Sequence, residues 1–222
     1  NQVLIHDHPF ENFEAAWVLP KDERRQGVLL YLHGGGYCCG DISYAKGVAS
    51  MLASRFGICV FAPAYRLAPD HRFPAPLDDA LVAYRYLLEN GYEKANIILC
   101  GESAGGGLCY SLCLQLSAKG RTMPAGIIAL SPWVDLTGTA QSYKTNEKND
   151  PTLTAERLKF FADCYLYGTD EQKSAGKNIY PKTCDDTAQD HAAKSVPLAS
   201  PLFGDLVGMP PSLIFAGGAE IL

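Results

Sequence analysis

Short, wholly apolar runs alternate along this chain with amphipathic stretches. Val28-Leu29-Leu30-Tyr31-Leu32 and Ile97-Ile98-Leu99-Cys100 carry no polar break, as strands covered on both faces of a sheet should read. The pattern predicts strands over 14–19, 27–32, 59–64, 96–101, 126–130 and 212–216. Leu77, Ala80, Leu81, Tyr84, Leu87 and Leu88 recur at helical spacing, with Asp78 and Asp79 in the first turn, where a helix favours negative charge. Leu108, Cys109, Leu112, Cys113 and Leu116 repeat that spacing further on. Strands alternating with helices imply an α/β domain, a mostly parallel central sheet flanked by helices, spanning 1–222 as one unit.

Between 138 and 198 the pattern turns polar. Leu158, Phe161 and Tyr165 mark one helical face, and 168–194 has little apolar content. A loop that long inside a compact domain is usually functional, so 138–198 reads as a lid inserted over the C-terminal edge of the sheet. The alternative for 168–194 is a surface excursion without fixed structure.

Composition narrows the function. A net charge of −5 with no Lys/Arg-rich run argues against nucleic-acid partners and against an electrostatic hold on anionic membranes. No apolar run approaches the roughly 20 residues of a spanning helix, so stable membrane insertion is not expected. The eight cysteines form no Cys-x-x-Cys pair, which removes zinc and thioredoxin-like readings. Buried single thiols point to a reducing compartment, the cytoplasm.

Two motifs carry chemistry. Gly101-Glu102-Ser103-Ala104-Gly105 lies between a predicted strand and a predicted helix, the setting in which a strained turn presents a serine nucleophile. The positive end of the following helix stabilises negative charge there. The bland alternative for Ser103 is a helix N-cap. Upstream, His33-Gly34-Gly35-Gly36 follows the strand predicted at 27–32. Consecutive glycines let backbone N–H groups converge on one point, as an oxyanion in acyl transfer requires. A P-loop is excluded by the missing Lys-Ser/Thr pair, and Gly-x-Gly-x-x-Gly spacing is absent. His33 precedes the nucleophile, against the chain order Ser, acid, His, and reads as a positioning residue.

Loop and elbow together resemble the hormone-sensitive-lipase-like esterases of the α/β-hydrolase fold, which pair His-Gly-Gly-Gly with Gly-Asp-Ser-Ala-Gly. Tyr65-Arg66-Leu67-Ala68-Pro69-Asp70-His71, Phe73-Pro74-Ala75, Ser131-Pro132-Trp133-Val134-Asp135-Leu136-Thr137, Ser142-Tyr143-Lys144-Thr145-Asn146 and Ser200-Pro201-Leu202-Phe203-Gly204-Asp205 also match. Departures are Glu102 for the usual Asp, Asp70 for the usual Glu, and the stretch 168–194. The resemblance implies a serine carboxylesterase using an acyl-enzyme on short acyl chains, with Ser103 as nucleophile. It implies an oxyanion hole from the N–H groups of Gly35, Gly36 and Ala104, supported by His33, Gly34 and Glu102. Glu220 falls on the position of the triad acid, and Asp135 is a weaker rival, better read as structural. A small-molecule ester is the implied partner, no metal or cofactor is implied, and a homodimer is compatible with the family.

The base is the gap. In the family the histidine follows the acid, and this chain has two residues after Glu220. His6 and His8 read as surface residues before the sheet begins, His33 and His71 as structural, and His191 as a solvated lid residue. The abrupt end at Ile221-Leu222 and the short stretch before His33 lead us to expect a chain truncated at its C-terminus, with the base beyond 222. Two other readings compete. One is a non-catalytic ligand-binding receptor on the same fold; the other is a deacetylase or amidase using the same site.

Overall fold

The computed structural model describes residues 2–22, 24–168 and 186–222, without the side chains of 186–189. Its strands are β1 (Val3–Pro9), β2 (Glu14–Pro20), β3 (Val28–Leu32), β4 (Cys59–Ala64), β5 (Ile97–Glu102), β6 (Gly126–Leu130) and β7 (Ser212–Phe215). They form one sheet in the order β1-β2-β4-β3-β5-β6-β7. β1 and β2 run antiparallel at one edge; β4, β3, β5, β6 and β7 are parallel. The helices are α1 (Ile42–Phe56), α2 (Ala75–Glu89), α3 (Ala104–Ala118), α4 (Ser142–Thr145), α5 (Ala155–Tyr167) and α6 (Asp186–Lys194).

Side-chain alternation splits the core in two. Leu30, Leu32, Phe61 and Leu99 face α2 and α3, while Leu29, Tyr31, Val60 and Cys100 face α1. The central strand β3 is buried at every position, as its unbroken apolar run predicts. β7 departs from that expectation. Among the described residues it pairs only with β6, and Leu213, Ile214 and Phe215 are more than half exposed, at 53%, 56% and 53%.

β1 and α1 are among the elements that were not anticipated. β1 reads Val3-Leu4-Ile5 and then His6-Asp7-His8, and is mostly exposed, so its apolar run is shorter than those that mark the inner strands. His6 and His8 therefore belong to the sheet, and His8 packs on Phe10 and Tyr86 with ring centroids 4.8 and 4.4 Å away. Helix α1 buries only Ala45, Ala49 and Ala53, a stripe too small to read as a core face. It is fixed by its ends: Asp41 accepts the Tyr44 N–H at 2.7 Å, and Gly57 closes it in the left-handed region at φ 62°. Asp78 does occupy the first turn of α2. Asp79 instead turns inward, only 2% exposed, and takes Arg66 through Nε at 2.9 Å and Nη2 at 2.7 Å. That bidentate pair fastens the segment after β4 to α2.

The stretch 168–194 divides. Residues 169–185 lie outside the described part, and 186–194 form α6 rather than an irregular loop. Lys194 of α6 is buried and meets Asp163 of α5 at 2.8 Å and Asp190 at 2.9 Å. Among the described residues no disulfide joins the cysteines, and no helix is long and apolar enough to cross a membrane.

Candidate active site

β5 ends in a turn that no ordinary L residue adopts freely. Ser103 has φ 52° and ψ −123°, and strain of that kind persists only where the surroundings dictate it. Here the backbone is gripped on both sides. Ser103 N–H donates to Leu130 O at 2.9 Å, and Ser103 O accepts from Gly107 N–H at 3.0 Å and Trp133 N–H at 2.9 Å. The glycines around it are sterically required: a Cβ on Gly105 would lie 2.0 Å from Leu32 O and 2.4 Å from His33 O, and one on Gly107 would lie 2.1 Å from Trp133 O. Although Ser103 occupies the N-cap position of α3, its side chain makes no capping bond. The residue is left partly exposed at the positive end of a helix.

The glycine loop follows β3 and touches this elbow. Gly35 and Gly36 take φ values of 113° and 61°, and Gly35 O accepts the N–H groups of Cys38 and Cys39 at 3.0 and 2.9 Å. Among the described residues no backbone acceptor takes the N–H of Gly35, Gly36 or Ala104. Gly36 also admits the ring of Phe161 from α5, which a Cβ there would meet at 2.5 Å. Tyr37, at φ 62°, stacks on Tyr165 of the same helix with centroids 3.9 Å apart.

Glu102 joins loop to elbow. Its Oε1 accepts Gly34 N–H at 2.7 Å, the Tyr31 hydroxyl at 2.9 Å and the Tyr44 hydroxyl at 3.0 Å. Burial pushes its pKa above the usual carboxylate value, and these donors pull it only part of the way back. The folded protein therefore binds that proton more tightly than the unfolded chain does. It follows that stability rises as pH falls through the raised pKa, levelling off below the ordinary value of 4.5. Glu102→Gln, neutral throughout, is expected to start closest to or above wild type in Tm at neutral pH. Wild type then gains on it as pH is lowered toward 4.5; a Tm difference independent of pH in thermal scans would contradict this.

His33 is buried, its Nδ1 2.7 Å from Gly34 O and its ring stacked on Tyr65 at 4.2 Å. Because a carbonyl only accepts, Nδ1 carries the proton. Desolvation lowers the imidazole pKa, with the Gly34 carbonyl opposing it, so the ring is neutral and structural. Tyr65 in turn donates to His33 O. His71 and His191 are exposed. Asp135 serves its own turn, accepting Thr137 N–H at 2.7 Å and the Thr137 hydroxyl at 2.6 Å.

Glu220 follows β7, so it shares the C-terminal edge of the parallel strands with Ser103 after β5 and the glycine loop after β3. Its carboxylate folds over Gly217, where a Cβ would lie 2.7 Å from Oε1. Oε2 is buried with no partner among the described residues. Sequence reasoning missed Asn146 and Asp150, which bond the backbone at the Glu220 turn; the match at 142–146 was a signal for Asn146 alone. A separate apolar groove of about 450 Å³ runs beside β7 between Pro132, Leu206 and Ile214 and does not include Ser103.

Comparison with known proteins adds four findings. A family model described as alpha/beta hydrolase fold matches residues 29–222. An acetyl-hydrolase of Streptomyces hygroscopicus is 37% identical over 94% of this chain and 62% of its own length. Among solved structures, an esterase from the bacterial hormone-sensitive lipase (HSL) family is 37% identical, with a TM-score of 0.84 over 100% of this chain and 67% of that one. EstE5, soaked with p-nitrophenyl butyrate, is 32% identical, with a TM-score of 0.83 over 99% of this chain and 66% of its own. The chain thus spans about three fifths to two thirds of the length of these relatives.

Proposed function

The chain belongs to the hormone-sensitive-lipase family of α/β hydrolases, and from that premise we propose that it carries the nucleophile, oxyanion site and acid of a serine carboxylesterase. The single observation behind this reading is the strained Ser103, its hydroxyl free of any capping bond, set against a glycine loop whose N–H groups have no backbone acceptor among the described residues.

Ser103 Oγ attacks the ester carbonyl and passes its proton to a histidine C-terminal to Leu222, which Glu220 orients. The tetrahedral oxyanion is received by the N–H groups of Gly35, Gly36 and Ala104, donors that need no reorganisation as charge develops. Collapse expels the alcohol, protonated by the histidine, and leaves Ser103 acylated; water attacks by the reverse route. Of the lid assigned to 138–198, residues 169–185 lie outside the described part; α5 in the described part brings Phe161 against Gly36, limiting the space beside the oxyanion. Short acyl esters are the substrate class. The cysteines fit a cytoplasmic protein, and a homodimer fits the same reading. Full-length protein and its Ser103→Ala variant, assayed on p-nitrophenyl butyrate, test the proposal: comparable hydrolysis by both would overturn it.

A further inference from the structure

The turn that carries Glu220 is held by two side chains from a segment about 70 positions earlier, and both act on one peptide unit. Asn146 Nδ2 donates to Glu220 O at 2.6 Å and reaches Gly218 O at 3.4 Å. On the opposite side of the same peptide, Ile221 N–H donates to Asp150 Oδ2 at 3.0 Å. The C=O and N–H of a trans peptide point in opposite directions, so bonds on both flanks stop the plane from rotating. That fixes ψ of Glu220. Glu220 N–H, bonded to Gly217 O at 3.1 Å, holds the preceding side, and the direction of the Cα–Cβ bond is then determined.

The clamp is itself rigid. Asp150 N–H donates to Asn146 O at 2.9 Å, locking the two residues together. Asp150 Oδ1 accepts Thr152 N–H and Leu153 N–H at 2.9 Å each and the Thr152 hydroxyl at 3.0 Å. Ile221 is fully buried, which seats the far end of the peptide. Glutamate has one more rotatable bond than aspartate, so aiming its carboxylate demands more of the backbone beneath it.

We propose that Asn146 and Asp150 are positioning residues for the triad acid, acting on Glu220 through the 220–221 peptide. This rests on the assignment of Glu220 as that acid. Desolvation, the largest single influence on Asp150, opposes its ionisation, but its four donors together outweigh it and hold its pKa at about 2, so the clamp stays charged throughout any practical assay.

The test uses the full-length enzyme with Asn146→Ala, Asp150→Asn and Glu220→Gln, alone and combined. Asp150→Asn is chosen because its amide oxygen can still cap Thr152 and Leu153 while its –NH2 confronts Ile221 N–H. Each clamp variant is expected to lower kcat by about 10- to 100-fold with KM within about twofold. In the Glu220→Gln background the same substitutions should change kcat by less than about twofold, because the group they position is already lost. Equal factors in both backgrounds, or no loss from either clamp variant while Glu220→Gln is impaired, would overturn the proposal and leave the acid assignment standing. Wild-type kcat in Glu220→Gln alone would overturn the acid assignment, and the clamp with it.

Discussion

Replacing Ser103 with alanine in the full-length protein is expected to lower kcat on p-nitrophenyl butyrate by about 10⁴- to 10⁶-fold. No other residue can substitute for it, because the reaction needs a hydroxyl at one point: above the N-terminus of α3 and beside the glycine loop. The backbone conformation at φ 52° is imposed by bonds to Leu130, Gly107 and Trp133, none of which involves the side chain. Losing Oγ therefore leaves the elbow intact, and stability should stay within about 0.5 kcal/mol of wild type. Kinetics and thermal melting on the same preparations check both halves. A large fall in activity with an unchanged Tm separates a chemical role from a structural one.

The largest effect on stability is expected at Gly105→Ala. The added methyl would lie 2.0 Å from Leu32 O, 2.4 Å from His33 O and 2.6 Å from Leu32 C, all backbone atoms of β3 and the loop after it. No rotamer can relieve such a contact. The helix must move away from the sheet, breaking the packing of α3, which is buried from Ala104 through Leu116. A cost of about 3 kcal/mol or more is expected, together with loss of activity, because the same movement separates elbow from oxyanion loop. Gly47→Ala is the control. It lies inside α1 with no heavy atom within 4 Å of the added Cβ, so the helix propensity of alanine should make it neutral or stabilising by up to about 1 kcal/mol. Chemical denaturation of both variants measures the contrast.

These two predictions draw on what was legible in the sequence. The inner strands and the elbow declare themselves because burial on both faces demands apolar residues throughout, and because helix and strand can approach only over glycine. Three glycines after β3 are similarly explicit. The remainder was hidden for identifiable reasons. β1 is an exposed edge strand whose apolar run stops after three residues, and the buried face of α1 is nothing more than three alanines. Asp79 looks like any acidic residue in a first turn until Arg66 is brought to it. The acid clamp and the tyrosines on Glu102 depend on bonds between residues 58 to 74 positions apart. Local spacing cannot reveal such pairs, and only the sheet order brings them together.

The central claim is that Ser103 is the activated nucleophile, and covalent capture tests it most directly. Full-length protein treated with a fluorophosphonate, then analysed by intact mass and peptide mapping, should gain one adduct, located on Ser103, in step with loss of esterase activity. Full labelling of another residue, or loss of activity with Ser103 unmodified, would contradict the account.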